Sequence, residues 1–549
     1  METAPSSVVR WLFDPRQGAS NRLIPRWLFL RALAAIYFSA FYSLIFQVRG
    51  LIGPQGILPA HDYLAAIEQS VGGLRYWYAP TLLWASSSSG MLMALSWIGL
   101  AAAVLAFFNL WPRLSFFVCF VCFLSFVATA ADFSGYQSDG MLLEAGFISL
   151  FSAPSGLRPG WGAHSPPPRA ALFLLQWEWF RIYFESGMVK LLSGDVEWRH
   201  LTAMDEYYQN GPLPTWVGWY MEHLPHWFHV FTAGATLGLE LVLVFMLFFP
   251  RRVRIICFLI VTPWEIVVIL TANYTFLNYL VLSLGILLLD DKFLRRVLPA
   301  RMQPPVAAPE ISIPEPEPPL SISPEQEPSL ARVASRGPRG IRGHLQAIRL
   351  AITAVLLTWI AYATTAEMLL MPLRGLPLPT APIRALEPFR IANRYGLFAI
   401  MTRGRYEIEF QGSNDNQTWT AYPFRYKPQA LNEAPRIYAP YQPRFDWNLW
   451  FASLGEWRQN SIVPFTEERL LSNDKDVLAL FRGNPFPDAP PKYIRAVLWQ
   501  YWFTSMQEKR QTGNWWRRQL LGLYAPVLLR QPDGKYGVVQ WPEPLPPHE

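Results

Sequence analysis

Apolar runs near the length of a bilayer crossing recur at 27–48, 90–108, 114–131, 170–192, 229–249, 255–272, 274–289 and 347–371. Each approaches the ~20 residues a helix needs to cross ~30 Å of hydrocarbon. A ninth segment, "GMLLEAGFISLFSA" at 140–153, would be only about 20 Å long as a helix and is expected to cross if neighbours bury it. Sidedness requires it. Arg10, Arg16, Arg22 and Arg26 place the N-terminus in the cytoplasm, and Arg113, "RRVR" at 251–254 and "KFLRR" at 292–296 all fall on that side only when 140–153 crosses. The pattern predicts a polytopic α-helical membrane protein with about nine crossings.

After residue 371 the period changes. "RYEIEFQ" (405–411) alternates Tyr406, Ile408 and Phe410 with charged residues, "GSNDNQTW" supplies a turn and "TAYPFRY" resumes the alternation, so a β-hairpin is expected, with Pro423 at an edge. "RFDWNLWFASLG" reads as a helix capped by Asp446, "TEERLLSNDKDVLALFRGNP" as one or two helices capped by Thr466 and closed near Gly483, and "KYIRAVLWQYWFT" as another strand. The expected organisation is an N-terminal transmembrane domain at 1–300 with about eight crossings, a cytoplasmic Pro-rich linker at 301–346, a last transmembrane helix at 347–371, and an extracytoplasmic α+β domain at 372–549. The linker's Pro, Glu and Ser content cannot bury a core. The tail, rich in Trp, is long enough for a core of its own.

Composition agrees with a membrane setting: 52% hydrophobic, 15% aromatic and 16% charged over 549 residues, with a mean hydropathy of +0.15. The net charge of +7 sits mostly in the cytoplasmic flanks and reads as an orientation signal; no nucleic-acid partner is expected. The first apolar run lacks the small-residue cleavage site of a removable leader. Cys119, Cys122 and Cys257 lie inside apolar runs and read as packing residues.

Ionisable groups at membrane depth cost about 2.5 to 3.5 kcal/mol each on insertion scales, so each needs a partner or a purpose. In "ALFLLQWEWFRIYFESGMVKLLSGD" (171–195), Glu178, Arg181 and Glu185 share a helix face and are expected to pair internally. Gln176, Tyr183, Gly187 and Lys190 fall on the other side, and Asp195 is the acid expected to reach Lys190. Asp139, Glu144, Glu240, Glu265, Asn273, Asn278 and Glu367 are further polar residues within or beside apolar runs. No metal-ligand spacing, Walker loop, nucleophile elbow or dinucleotide turn is present, and neither a metal nor another cofactor is expected.

"SDGMLLEAGFISLFSAP" (138–154), "GMVKLLSGDVEWRHLTAMDEYYQNGPLPTW" (187–216), "HWFHVF" (226–231), "NYTFLNYL" (273–280), "RYGLFAIMTRGRYEIEFQGSNDNQTW" (394–419), "APYQPRFDWNLWFASLG" (439–455) and "NPFPDAPPKYIRA" (484–496) together resemble the lipase maturation factor family. The resemblance runs from about residue 20 to 530. It implies a membrane protein, in animals of the endoplasmic reticulum, that assists folding and assembly of secreted lipases from a lumenal C-terminal domain. In a bacterium the same protein would sit in the cytoplasmic membrane. The low cysteine content and the long Pro-rich insertion depart from the animal pattern. More locally, "YFESGMVKLLSGDVEW" is similar to a segment of the vitamin K-dependent γ-carboxylase and its bacterial relatives, where a lysine serves as base; carried over, that residue is Lys190.

Two functional expectations follow. In the first, the chain is a non-enzymatic factor for exported proteins, which the resemblance implies are lipases, and it grips its client through Trp198, Arg199, Asp205, Tyr207, Tyr208, Trp216, Trp447 and Trp450, residue types that dominate binding surfaces. In the second, it is a membrane enzyme with Lys190 as base in a cavity lined by Gln176, Tyr183, Asp139 and Glu144, with Asp195 close by.

Overall fold

The computed structural model describes residues 4–304 and 341–545; of the linker expected at 301–346, positions 305–340 lie outside the described residues. All nine expected segments are helical: α1 Leu23–Ile45, α2 Ser89–Phe107, α3 Pro112–Val127, α4 Gln137–Ser152, α5 Arg169–Leu192, α6 His226–Leu241, α7 Arg251–Thr271, α8 Leu277–Gly285 and α9 Ile341–Leu370. Five stretches are by themselves long and apolar enough to cross a membrane: Ser20–Ile45, Ser89–Phe107, His226–Phe248, Arg251–Thr271 and Gly343–Leu370. α3 and the run Leu277–Leu288 are apolar but shorter. α5 has the length but carries Glu178, Arg181, Glu185 and Lys190 in its interior.

Local chemistry sets the ends. Ser88 caps α2 by accepting from Met91 N, α3 begins with Pro112 at its first position, where a missing N–H costs nothing, and Pro250 precedes α7. Small residues set the spacing between helices. A Cβ on Gly146 of α4 would lie 2.0 Å from the Tyr37 hydroxyl of α1, and that hydroxyl donates to Leu142 O at 3.0 Å. Glycine is what lets the two helices approach this closely.

The C-terminal part holds a six-stranded antiparallel sheet in the order β2-β1-β3-β5-β6, with β4 also paired to β3. Its strands are β1 Arg405–Ser413, β2 Thr420–Ala421, β3 Tyr493–Phe503, β4 Trp516–Leu523, β5 Val527–Arg530 and β6 Tyr536–Gln540. The hairpin expected over 405–426 is β1 against β2, which forms a sheet edge, and Pro423 follows that short strand. Helices α10 Arg444–Ser453 and α11 Ile462–Leu471 flank the sheet.

Three details differ from the sequence reading. β1 is buried on both faces, because its polar side is covered: Arg405 and Lys427 both pair with Glu407, and Arg518 pairs with Glu409. Asp446 does not cap α10. It lies within the first turn and accepts from Tyr426 N and Lys427 N at 3.2 and 3.1 Å. Thr466 sits inside α11, bonded to Ile462 O, while Asp474 caps the next short helix.

A continuous set of buried apolar side chains runs from Phe29 and Tyr37 in α1 through Leu142 and Trp179 to Ile408, Phe410 and Leu498 of the sheet. Bundle and sheet therefore share one core.

Candidate functional site

The charged residues of α5 are answered mostly from outside α5. Arg181 is completely buried; it pairs with Glu144 of α4 and donates to Asn393 O at 2.6 Å, while Glu185, the partner expected on its own face, stands 3.9 Å away. Glu144 in turn accepts from Asn393 N at 2.9 Å, and Glu185 from Tyr395 N at 2.6 Å. Glu178 has no hydrogen-bond partner among the described residues. Of the internal ladder expected on this helix, the Arg181–Glu185 pair is present at 3.9 Å and Glu178 is not engaged, while a stronger network holds the backbone of 393–395 against α4 and α5. Charge-assisted bonds of this kind are roughly twice as strong as neutral ones.

Lys190 has a different acid from the one expected. Its Nζ donates to both carboxylate oxygens of Glu240 at 2.8 Å and to Ser186 Oγ at 2.7 Å, and it lies 5.0 Å from the ring centroid of Trp198. Asp195 points elsewhere. It caps the short helix Val196–His200 through Glu197 N and accepts from Met401 N at 2.8 Å. A base with no acid on its own face of α5 and a lone acid, Glu240, in the next helix were the signal for this pair, since neither tolerates membrane depth alone.

Beside this pair lies a mostly apolar cavity of about 330 Å³, at the small end of the range typical for ligand pockets. Tyr183 and Lys190 of α5, Glu240 of α6, Glu265 of α7, Tyr207 of the loop after α5 and Phe398 of the C-terminal part all face it. Tyr183 donates to Glu265 Oε2 at 2.6 Å. Of the four residues expected to line a cavity with Lys190, only Tyr183 does so. Asp139 is fully buried in a two-bond pair with Arg444, at 2.7 and 2.8 Å, Glu144 holds Arg181, and Gln176 donates to Leu287 O at 2.6 Å. Those three do not belong to the pocket.

The residues expected to meet a client divide by exposure. Trp198, Tyr208, Trp447 and Trp450 are buried. Trp198 donates to Phe398 O at 2.8 Å, and Trp447 packs with Tyr136 and Tyr274. Tyr207 is half-buried against Tyr274 and Phe398, and Asp205 is half-buried and 3.0 Å from His226 Nδ1. Arg199 and Trp216 are exposed. The loop between α5 and α6 is tied down over its length by the C-terminal part. Arg405 donates to Gln209 O and Gly211 O at 3.1 and 2.5 Å, and Asn210 Nδ2 donates to Thr402 O at 2.9 Å.

A helical bundle in which the buried acids Asp139, Glu144, Glu185 and Asp195 are answered by a fused sheet-bearing segment defines a class: an integral-membrane-type protein with a C-terminal module built onto it. Residues 24–296 match the family model described as lipase maturation factor transmembrane domain, and residues 391–526 match the lipase maturation factor C-terminal domain. The chain belongs to the lipase maturation factor family. It is 30% identical to lipase maturation factor 1 of Bos taurus over 97% of this chain and 94% of that protein. It is 31% identical to lipase maturation factor 2 of Gallus gallus over 92% and 81% of the two chains, and 31% identical to that of Homo sapiens over 92% and 83%. No solved structure matches.

Proposed function

We propose that this protein assists the maturation of an exported client, a lipase by the names its relatives carry, from a body formed jointly by the α5–α6 loop and the C-terminal sheet. The observation that carries the proposal is the joining of these two regions. Met401 N bonds Asp195, Phe398 O accepts from Trp198, and Arg405 donates to the carbonyls of Gln209, Gly211 and Pro212. A surface assembled from two parts of the sequence presents Arg199, Asp205 and Trp216 on a rigid base that buries Trp198, Tyr208, Trp447 and Trp450.

In this reading the chain crosses nine times, with the N-terminus cytoplasmic and the sheet domain outside, in the endoplasmic reticulum of a eukaryote or the cytoplasmic membrane of a bacterium. The contacts of the sheet domain support it. Several fall beyond the C-terminal ends of α1 (Gln47), α5 (Asp195) and α7 (Asn273) and at the N-terminal ends of α4 (Asp139) and α8 (Tyr279), while residues 393–395 reach farther into α4 and α5 at Glu144, Arg181 and Glu185. Odd and even helices thus run in opposite directions. At the other end, Arg22, Arg26 and Arg251 bond Leu287 O, Trp161 O and Asp290, as expected for a cytoplasmic face rich in arginine.

Photocrosslinkers placed at Arg199 and Trp216 are expected to capture an exported protein, whereas one placed at Arg296 is not. Equal capture from both ends, or none from Arg199 and Trp216, defeats the proposal. The cavity beside Lys190 sustains a second reading as an enzyme site, but Lys190 Nζ is already engaged by both Glu240 oxygens and Ser186 Oγ, an arrangement that suits a structural ion pair. Lys190→Arg is expected to preserve client maturation. Loss of maturation in that variant with the fold intact would favour catalysis.

A further inference from the structure

A second cleft, of about 1010 Å³, lies between the start of α3, the end of α4 and the first half of α9. Phe117 and Phe147 form one wall, and Ile352 and Leu356 the other. Arg113 and Arg349 both line it, and the Arg349 charge acts on the Arg113 guanidinium. His164 is beside them, and Arg16 is already engaged by Asp14 at 2.7 Å. Arg113 Nη2 donates to Ala153 O at 2.7 Å, but its Nε is enclosed and has no partner among the described residues. Neither Arg113 nor Arg349 has an ion pair there. Two guanidinium groups lining one apolar trough repel each other less when an anion is bound with them, and an arginine fork matches phosphate oxygens.

We propose that this cleft binds one anionic phospholipid, its phosphate between Arg113 and Arg349 and an acyl chain lying along Phe117, Phe147 and Ile352. The shape and the charge each select for this occupant. A free phosphate would leave the apolar trough empty, and a neutral hydrocarbon would leave the paired arginines unanswered. Basic pockets between transmembrane helices on the cytoplasmic side are recurrent sites for lipid headgroups, and this cleft lies at the end of the bundle where Arg22, Arg26 and Arg251 gather. α9 therefore reaches α3 and α4 partly through lipid, and the bound molecule bridges the last helix to the rest of the bundle.

The test uses the purified full chain in detergent, delipidated and then given phosphatidylglycerol, phosphatidylcholine or inorganic phosphate. Retained lipid is counted by native mass spectrometry and the thermal midpoint is followed. Wild type is expected to retain one phosphatidylglycerol in preference to phosphatidylcholine, with a raised midpoint. Arg113→Gln and Arg349→Gln are each expected to weaken retention about tenfold. Ile352→Trp, which fills the trough and keeps both charges, is expected to weaken it too. Equal retention of both lipids unaffected by all three variants means a nonspecific annulus and overturns the proposal. The same midpoint shift with inorganic phosphate alone overturns it in favour of a free-anion site. Lipid that binds only after deletion of 305–340 overturns it in favour of the acidic linker as occupant.

Discussion

At the scale of single residues, the informative side chains are acids placed where water cannot reach them. Asp446 is 2% exposed, and its burial pushes the carboxyl up to about 6, although the backbone N–H groups of Lys427 and Tyr426 and the Lys427 charge pull the other way. A carboxyl whose folded value lies above its usual 3.8 binds its proton more tightly in the folded protein. The resulting stabilisation is fully present below pH 3.8 and is lost as pH rises through about 6, a change of roughly 3 kcal/mol over those two units. Asp446→Asn keeps the acceptor for both N–H groups and cannot ionise. Its thermal midpoint is expected to rise relative to wild type as pH goes from 4 to 6 and to hold that advantage above; a constant difference across the range would contradict the assigned cause. The sequence placed Asp446 in the right helix but read it as a cap. Residue type and position alone do not say whether an acid in a first turn bonds its own helix or a neighbouring loop. The same limit applies to Lys190: the sequence showed that it needed an acid, and proximity along the chain suggested Asp195. Packing of α5 on α6 supplies Glu240 instead, 50 residues away.

At the scale of elements, hydrophobic periodicity carried the helical bundle and half of the sheet, and it did not mark β4, β5 or β6. The nine helical segments and the β1, β2 and β3 strands follow from runs of apolar residues and from alternation, both of which are local. Closeness of approach is not local, and α4 shows why. Its sequence segment, 140–153, is the shortest run expected to cross, and Gly146 sets the contact with α1 by leaving space for the Tyr37 hydroxyl. Tyr37 is fully buried, its ring lying against Phe41 and Phe123, so it has nowhere to retreat. Gly146→Ala is expected to destabilise by about 1 to 3 kcal/mol as an overpacked contact. Gly146→Ala combined with Tyr37→Phe, which removes the clashing oxygen at the expense of the bond to Leu142 O, is expected to recover part of that loss. Thermal unfolding of the two variants in detergent gives the comparison, and an unchanged midpoint for Gly146→Ala would show that α4 is free to shift. The burial of both faces of β1 was likewise beyond a reading of alternation, because its polar face is covered by groups 20 to about 110 residues away that a strand pattern cannot name.

At the scale of the whole molecule, the C-terminal part is a structural component of the bundle. Asp139 has Arg444, Glu144 has Asn393 N, Glu185 has Tyr395 N and Asp195 has Met401 N. Asn273 accepts from Tyr438 N and donates to Arg436 O. Cutting the chain after residue 371 removes all of these partners at once. Breaking one buried ion pair costs about 3 to 5 kcal/mol when the other charge stays behind, against a total stability of about 5 to 15 kcal/mol for a typical protein. The 1–371 fragment is therefore expected to aggregate or fail to accumulate, measured by size-exclusion profile in detergent. Failed client maturation after that truncation would then report on folding, not on docking. A single change separates the two. Arg444→Met should lower the thermal midpoint of the full chain, and Arg444→Met with Asp139→Leu should restore most of it, because the second substitution removes the stranded carboxylate. A monodisperse 1–371 fragment with the midpoint of the full chain would show instead that the bundle stands alone, and that the acids of α4 and α5 are satisfied without the sheet domain.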